Sequence, residues 1–516
     1  MNRCLLLLTW LLTQPLVLAA EPLDIGSRRE LFVDGALIER LEGRAELRLQ
    51  SPTPQNVALV TDAPWEGNAT NYVTVFQDGP LYRMYYRGSH ASYLGGQDRP
   101  SSQDRYCYAE STDGIHWIKP TLGLFAWDNS TQNNIVWDGV GAHAFVPFRD
   151  PCPQCPADAQ YKALGVGNGP HGLYAFQSAD AIHWKLMQPD PVLTAGAFDS
   201  QNLAFWDAER HEYREYHRDF RDGRDIRTAT SPDFLHWTEP EFLSYTAQVD
   251  PGRPAAATTV VHDPVGGQYP PGRVSELYTN QIGPYYRAPH LLIGFPTRYI
   301  DRGWTASAKA LPRYDYRQTR AAGSPREGTA ITDVMFIASR DRQHFSVWPE
   351  SFLRPGLRTR DTWFYGDMYQ NWGLVETASA LEDAPRELSM YVTERTLQET
   401  GAVLRRYTLR IDGFVALHAP LAGGALLTRP LTFAGRQLVL NVSTSAAGSV
   451  RVEIQQGDGQ PFPGFALADC DEVYGDDLQR VVTWHGDSNL GALAGQTVRL
   501  RFDLSDADVF ALQFTQ

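Results

Sequence analysis

Short stretches in which apolar and polar residues alternate fill most of this chain. A period of two is typical of β-strands, and little of the sequence has the 3.6-residue period of a helix. Clear examples are Tyr161–Val166 and, near the C-terminus, Val450-Arg-Val-Glu-Ile454 and Val498-Arg-Leu-Arg-Phe502. The pattern therefore predicts an all-β protein.

A seven-residue phrase, Ser-x-Asp-x-x-His-aromatic, recurs after several of these β-rich runs. Its Ser and Asp can bond to their own backbone, which is typical of a turn that follows a strand. Repetition at intervals of tens of residues indicates repeated supersecondary units, and sheets repeated around an axis form a β-propeller. Copies begin at Ser111, Ser178, Ser231 and Ser339, and a degenerate fifth copy contains Asp412.

The predicted fold is a five-bladed β-propeller followed by a C-terminal β-sandwich. The strand pattern changes beyond Leu417, where alternating runs separated by short turns predict antiparallel sheets packed face to face. The predicted divisions are a signal peptide (1–20), a propeller (21–417) and a β-sandwich (418–516). The five blades are predicted at residues 58–120, 133–186, 198–240, 276–350 and 363–417.

The first twenty residues predict export. Arg3 precedes an apolar stretch over residues 5–12, and small residues near Ala20 suit signal-peptide cleavage. The expected location is therefore secreted or periplasmic. The net charge of −14 argues against nucleic acid and gives no basic face for a membrane.

Four cysteines remain after the predicted leader. Cys152 and Cys155 are spaced as in a redox or half-zinc motif, but no second such pair accompanies them. A local disulfide or two free thiols is favoured over a metal site in an exported chain. Cys107 and Cys470 cannot be paired from the sequence.

Chemistry in a propeller is expected at the axis, where the first strand of each blade begins. Three carboxylates are predicted to precede such strands: Glu66, Asp150 and Asp199. Carboxylates brought to one axis repel each other, and this separates their pKa values. Such a set can supply the acid and the base that glycosidic bond hydrolysis requires.

Here the chain resembles secreted five-bladed propeller glycoside hydrolases, the group of levanases, invertases, arabinanases, arabinofuranosidases and β-xylosidases. Arg149-Asp150-Pro151 is similar to the Arg-Asp-Pro motif of the levanase and invertase group, and this implies that Asp150 stabilises the transition state. Asp199 is placed like the general acid of the arabinanase group. Glu66 is assigned as base or nucleophile, although the chain lacks the family's Asp-Pro or Asn-Asp-Pro there. The resemblance allows a structural calcium ion, and no cofactor is otherwise expected.

Other polar and aromatic residues are expected to line the same axis and hold the substrate. Arginine and histidine would bind hydroxyls or a carboxylate, and aromatic rings would stack on sugar faces. The candidates are Trp65, Arg87, Arg149, Asn202, Tyr286, Arg287, His290, Asp367, Tyr369, Trp372 and Glu376.

These features predict an exported glycosidase that acts on a poly- or oligosaccharide, with furanosides such as arabinofuranosides or fructofuranosides favoured. Attack at chain ends is expected, because the segments 250–272 and 301–328 form long loops that could close one side of the funnel. The alternatives are a phosphorylase or lyase on the same fold, and a carbohydrate-binding propeller without activity. No phosphate-binding Gly loop, Ser-His-Asp elbow or His-Glu-x-x-His helix occurs in the sequence.

Overall fold

The computed structural model describes residues 21–92, 102–167, 169–221, 223–248, 276–398 and 401–516. Strands take up 48% of the structure and helices 5%, in a propeller-like arrangement, so the predicted β class is confirmed. The predicted leader, residues 1–20, and the segment 250–272 lie outside the described residues. No helix in the described ranges is long and apolar enough to cross a membrane.

Five short strands open the described chain, and they do not all belong to the propeller-like part. The first four pair with strands of the C-terminal region, whereas the fifth pairs with a strand that ends at Leu409. They are β1 (Leu23–Gly26), β2 (Glu30–Leu31), β3 (Ile38–Gly43), β4 (Glu46–Leu49) and β5 (Thr53–Val60).

The next three sheets each have four antiparallel strands in sequence order. Their first strands contact one another across sheets, which places these strands nearest the axis. The first sheet has β6 (Thr74–Asp78), β7 (Leu81–Gly88), β8 (Arg105–Ser111) and β9 (Ile135–Trp137). The second has β10 (Ala144–Arg149), β11 (Tyr161–Val166), β12 (Leu173–Ser178) and β13 (Lys185–Leu186), with a 3₁₀ turn at Ala157–Ala159. The third has β14 (Leu203–Asp207), β15 (Glu212–Phe220), β16 (Arg224–Ser231) and β17 (Glu241–Phe242).

The fourth sheet has seven strands and carries three helices. Its strands are β18 (Ser244–Ala247), β19 (Glu276–Leu277), β20 (Gly283–Tyr285), β21 (Ala288–Gly294), β22 (Thr297–Asp301), β23 (Ala330–Ser339) and β24 (His344–Leu353). The helices α1 (Ala306–Lys309), α2 (Tyr314–Gly323) and α3 (Arg326–Thr329) occupy the segment expected to be a loop. Arg317 and Arg320 of α2 are buried and donate to the carbonyls of Trp363 and Tyr365, so the helix is fixed against the next sheet.

The fifth sheet joins the two ends of the propeller-like part. It contains β25 (Tyr369–Gln370), β26 (Val375–Thr377), β27 (Glu387–Glu394) and β28 (Val403–Leu409). Its outer strand is β5, which pairs antiparallel with β28 from Thr53 opposite Thr408 to Val60 opposite Val403. An N-terminal strand therefore completes a C-terminal sheet.

The remaining strands form an eight-stranded sheet and a two-stranded parallel pair with the N-terminal segment. Leu47 pairs with Leu417, Leu41 with Leu426 and Glu30 with Leu512. Residues 23–49 thus pair with the C-terminal region, which differs from the predicted start of the propeller at residue 21. The strands are β29 (Val415–Ala419), β30 (Gly424–Thr428), β31 (Leu431–Phe433), β32 (Gln437–Gln455), β33 (Asp476–Val481) and β34 (Arg499–Thr515).

The repeated phrase forms the turn that leaves the third strand of a sheet, as predicted. Asp180 Oδ1 accepts hydrogen bonds from the amides of Ile182 and His183, and Asp180 Oδ2 lies 2.7 Å from His183 Nδ1. Ser178 Oγ accepts a hydrogen bond from the amide of Ala181. The same bonds recur in the turns of Asp113 and Asp233, and the histidine side chains there are largely exposed.

The degenerate fifth copy has a different role. The Asp412 side chain is fully buried and accepts hydrogen bonds from Arg29 Nη1 at 3.0 Å, Arg287 Nε at 2.9 Å and Tyr285 Oη at 2.7 Å. Asn441 also donates to it. Asp412 therefore joins the N-terminal segment, the fourth sheet and the C-terminal sheet.

Candidate active site at the His143 mouth

The starts of the inner strands carry a polar cluster around His143. Tyr72 lies just before β6, His143 just before β10, and Asp199 shortly before β14. The rings of Tyr72 and His143 are 5.9 Å apart. We call this end of the channel the His143 mouth, and define it by Tyr72, Asp104, His143 and Asp199.

His143 lies between two carboxylates. Its Nδ1 is 2.7 Å from Asp104 Oδ2 and its Nε2 is 2.9 Å from Asp199 Oδ1. Burial lowers the pKa of His143, but the two hydrogen bonds outweigh burial and raise the pKa above its usual value. Acceptors on both ring nitrogens suit a doubly protonated imidazolium.

Asp199 is the predicted catalytic carboxylate that reaches solvent, with 60% of its side chain exposed. Desolvation raises the pKa of Asp199, but the hydrogen bond from His143 and the charges of Arg218 and Arg87 lower it below its ordinary value. Arg218 Nη2 lies 3.8 Å from Asp199 Oδ2. A carboxylate held in this way is ionised at neutral pH and is a poor proton donor.

Arg87 supplies a buried positive charge beside this cluster. Its Nε donates to the carbonyl of Ala69 at 3.0 Å, and its guanidinium lies 4.9 Å from the centre of the Tyr72 ring. Nη1 approaches His143 Nδ1 at 3.4 Å. Arg87, predicted as a substrate-binding residue at the axis, therefore lies beside His143.

Tyrosines from the fourth and fifth sheets pack behind the cluster. Tyr278 and Tyr365 share a hydroxyl–hydroxyl hydrogen bond of 3.0 Å, and the Tyr278 and Tyr369 rings are 5.6 Å apart. Arg218 lies 5.4 Å from the Tyr278 ring, which connects these tyrosines to Asp199. Burial raises the pKa of Tyr72 well above the usual value.

Asp367 is a second carboxyl near these tyrosines, two residues from both Tyr365 and Tyr369. It is 4% exposed, and its Oδ1 accepts a hydrogen bond from the Thr396 amide at 3.0 Å. Its Oδ2 has no hydrogen-bond partner among the described residues. Burial raises the pKa of Asp367 to about 7, so the group exchanges its proton near neutral pH.

Buried glutamines bond to one another across four sheets near the starts of the inner strands. Gln281 Nε2 donates to Gln201 Oε1 and to the Gln370 carbonyl, both at 2.7 Å. Gln201 Nε2 donates to the Val73 carbonyl at 2.9 Å and lies 3.2 Å from Thr74 Oγ1. The amides join the third, fourth and fifth sheets to the first. We refer to Gln201, Gln281 and Gln370 as the glutamine plug.

A cavity of about 970 Å³ lies where the inner strands end, and Gln281 lines it. Arg149 ends β10 and Trp206 is the next-to-last residue of β14, and both line the cavity, so it belongs to the opposite ends of the inner strands. We call this end the Trp372 mouth. Four predicted substrate-binding residues line this cavity: Arg149, Tyr286, Trp372 and Glu376.

Asp150 is not part of the His143 mouth, which corrects the expected three-carboxylate site. The inner strand β10 ends at Arg149, so Asp150 follows this strand rather than preceding it. Six residues of strand span about 20 Å, and this separates Asp150 from His143 along β10. The Asp150 side chain is fully buried and bonds to Lys162 Nζ, to Tyr213 Oη and to the Cys152 amide.

Glu66 also makes structural contacts and lies outside the His143 mouth. Its side chain is fully buried, and it accepts hydrogen bonds from Tyr86 Oη, from Lys119 Nζ at 2.7 Å and from the Ala63 amide at 2.9 Å. These bonds stabilise the first sheet and leave Glu66 without contact with Asp199. The geometry therefore gives no support for Glu66 as the base.

The other predicted residues lie in supporting positions. Trp65 Nε1 donates to Asn134 Oδ1 at 2.7 Å within the first sheet. Asn202 Nδ2 donates to the Phe198 carbonyl at 2.8 Å and so shapes the loop that holds Asp199. Arg287 and His290 face the N-terminal and C-terminal segments, where they pair with Asp412 and Glu30.

Sequence reasoning missed Asp104, His143, Arg218 and Tyr278. The missed signal is the strand Ala144–Arg149, which is apolar without alternation and contains Pro147. With that strand assigned, His143 would have been recognised as the residue before an inner strand. Asp104 carries no comparable signal, because it lies 39 positions from His143.

The cysteines of the described ranges are not paired with one another. Cys107, Cys152, Cys155 and Cys470 are free thiols there. No group of three or more His, Cys, Asp and Glu side chains in those ranges is arranged to hold a metal ion.

Comparisons with known proteins give several solved structures and one curated protein. No family model matches the chain. An uncharacterised protein of Mycobacterium tuberculosis (strain CDC 1551 / Oshkosh) is 28% identical over 143 residues, which is 28% of this chain. The chain spans 40% of the length of this curated relative.

The structural neighbours are glycoside hydrolases with β-propeller folds. A thermostable family-43 glycoside hydrolase has a TM-score of 0.40 at 9% identity, covering 73% of this chain and 97% of its own. The catalytic domain of the Coprinopsis cinerea GH62 α-L-arabinofuranosidase has 0.39 at 9%, covering 70% and 97%. The endo-arabinase of Bacteroides thetaiotaomicron VPI-5482 has 0.37 at 9%, covering 69% and 98%. The chemistry of the site is therefore argued from its own residues.

Proposed function

We propose that this protein is an exported glycoside hydrolase with its catalytic site at the His143 mouth. The observation that supports this most is the placement of Asp199, a solvent-reaching carboxylate held by His143 and near Arg218 at the start of an inner strand. Aromatic rings and groups of both signs of charge surround it, an arrangement that suits a ligand with apolar faces and several polar groups. The proposed substrate is a poly- or oligosaccharide with furanoside units, such as arabinofuranoside or fructofuranoside.

In this proposal Asp199 is the ionised member of the acid–base pair. Its lowered pKa favours the role of base or nucleophile over that of general acid. Asp367 is the proposed proton donor, because it lies two residues from Tyr365 and Tyr369, which pack behind Asp199 through Tyr278 and Arg218. Its pKa, raised to about 7 by burial, is consistent with that role. Arg87 and His143 position Asp199 and hold it ionised.

We also propose a domain architecture and an exported location for the protein. The five sheets are proposed as five blades, and the C-terminal sheet as an accessory β-sandwich completed by residues 23–49. Helices α1–α3 beside the fourth sheet support attack at chain ends, since an insertion on one side can close a funnel. Export follows from the predicted leader.

The test uses Asp199→Asn and Asp367→Asn, with Asp128→Asn as the matched control. Asp128 is exposed and makes no side-chain hydrogen bond among the described contacts. Folded variants are assayed on a panel of aryl furanosides, aryl pyranosides and polysaccharides. We expect losses of about 10²–10⁴-fold in kcat for both site variants and none for the control. Full activity of folded Asp199→Asn on the substrate of the wild type would refute the proposal.

A phosphorylase is the second candidate, because cationic groups crowd the same mouth. Arg87, His143 and Arg218 lie around Asp199, and this combination also suits an inorganic phosphate that attacks the sugar. Cleavage that requires phosphate and releases a sugar phosphate would support it. Cleavage at the same rate without phosphate would exclude it.

A further inference from the structure

The cavity at the Trp372 mouth has no part in the proposed reaction. Its volume of about 970 Å³ lies at the upper end of the range, about 300–1,000 Å³, typical of small-molecule sites. The glutamine plug links the two sites, since Gln281 lines the cavity and bonds to Gln201, which follows Asp199 by two residues. We propose that this cavity is a second carbohydrate site, which binds a short oligosaccharide without cleaving it. This inference does not depend on the proposed catalytic function.

The walls of the cavity are aromatic and fixed in position. Trp372 Nε1 donates to the Ile282 carbonyl at 3.0 Å, and Trp206 packs edge-on against Tyr213 with ring centres 4.9 Å apart. Tyr286 is 49% exposed at the entrance. Rigid rings with an apolar face and a polar edge suit the faces of sugar rings, and little side-chain entropy is lost on binding.

The rim of the cavity carries polar groups of both signs. Tyr286 Oη donates to Glu376, and Arg386 Nε lies 3.7 Å from Glu376 Oε2. The Arg149 side chain is 58% exposed on the other side. Asp78 lies 3.8 Å from Arg149, so each arginine of the rim has a carboxylate partner. Paired charges of this kind favour a ligand with many hydroxyls over a phosphate or a purely apolar molecule, because hydroxyls can donate to carboxylate and accept from guanidinium.

Gln281 at the floor supports the same ligand class. It is 4% exposed, and its Oε1 has no hydrogen-bond partner among the described residues. Its φ of 48° is uncommon for a residue other than glycine. Strained residues with unpaired polar atoms concentrate at binding sites, where a ligand hydroxyl can satisfy the atom.

The experiment measures binding in a background from which the proposed base has been removed. Full-length Asp199→Asn protein is titrated calorimetrically with arabinotriose, xylotriose, cellotriose and mannotriose at millimolar concentrations. Tyr286→Ala is then added to that background, with Tyr474→Ala as the matched control. Tyr474 is 65% exposed and lies beyond the propeller-like part.

The proposal expects at least one trisaccharide to bind, with affinity reduced about tenfold by Tyr286→Ala and unchanged by Tyr474→Ala. Arg218→Ala, which alters the His143 mouth, should leave this binding unchanged. Binding lost with Arg218→Ala and kept with Tyr286→Ala would overturn the proposal, since the ligand would then occupy the His143 mouth. Absence of binding by all four trisaccharides would also overturn it. If the wild type has no hydrolytic activity but still binds a trisaccharide through Tyr286, the proposed function is refuted and the second carbohydrate site is supported.

Discussion

His143 Nε2 lies 2.9 Å from Asp199 Oδ1, and this contact joins the start of β10 to the loop before β14. The two residues are 56 positions apart in the chain. Each shifts the pKa of the other, since Asp199 raises the pKa of His143 and His143 lowers the pKa of Asp199. The pKa of the proposed base therefore depends on a histidine.

Replacing His143 by Gln should move the pKa of Asp199 back towards its ordinary value, because glutamine keeps a hydrogen bond but carries no charge. The shift can be followed by carbon NMR of the aspartate carboxyl groups during a pH titration. His236→Gln, in an exposed turn, is the control. An Asp199 titration that stays the same in His143→Gln would contradict this account.

The same pair predicts a bell-shaped dependence of stability on pH. The contribution of Asp199, with its lowered pKa, is present above the unfolded value of about 3.9 and is lost as pH falls through the folded pKa. The contribution of His143, with its raised pKa, is full below the unfolded value of about 6.5 and is lost as pH rises through the folded pKa. The stability difference between wild type and His143→Gln should therefore be largest near pH 5, as measured by urea unfolding.

Asp367→Asn should remove a contribution to stability that falls as pH rises, which is the opposite of the contribution of Asp199. Burial raises the pKa of Asp367 to about 7, so the folded protein binds a proton that the unfolded chain releases near pH 4. Wild type should lose stability as pH rises from about 4 to 7, by on the order of 1 kcal/mol per pH unit. Parallel unfolding curves for wild type and Asp367→Asn across this range would contradict the prediction.

The parts of the fold that the sequence predicted are those determined by local contacts. In the repeated turns, Ser178, Asp180 and His183 bond to one another or to neighbouring amides within five positions, so the motif itself specifies the structure. The strand Ala144–Arg149 escaped recognition because burial on its inner and outer faces removes the alternation. Because this strand was not predicted, Asp150 was expected before an inner strand, whereas it follows one.

Distant contacts could not be inferred in the same way. Glu30 pairs with Leu512, and Asp412 joins Arg29 to Arg287, across hundreds of positions. The alternation of residues 23–49 predicts strands but does not say which sheet they complete. Asp199 could be placed because it directly precedes a clear strand, whereas its partners come from elsewhere in the chain.

Asp150→Asn should destabilise the fold strongly. Lys162 has only 4% of its side chain exposed, and its charge would lose the carboxylate beside it. Removing one partner of a buried ion pair costs about 3–5 kcal/mol, measurable as a shift of the urea midpoint. The double variant Asp150→Asn with Lys162→Met should recover part of this loss, because no unpaired charge remains. A single variant as stable as wild type would show that Asp150 is not structural.

Asp233→Asn should weaken the turn after β16 in a pH-dependent way. Burial raises the pKa of Asp233, but hydrogen bonds from His236 and the Leu235 amide lower it to about 2. The lowered pKa stabilises the fold above the unfolded value of about 3.9, and this contribution is lost as pH falls towards 2. Since 45% of the side chain is exposed and solvent screens the charge, we expect a loss of about 1 kcal/mol at neutral pH. The difference in Tm between wild type and Asp233→Asn should become smaller from pH 5 to pH 2.5. The Tm of Asp128→Asn should equal that of wild type at both pH values. A difference in Tm that stays constant with pH would mean that the charge of the carboxylate does not stabilise the turn.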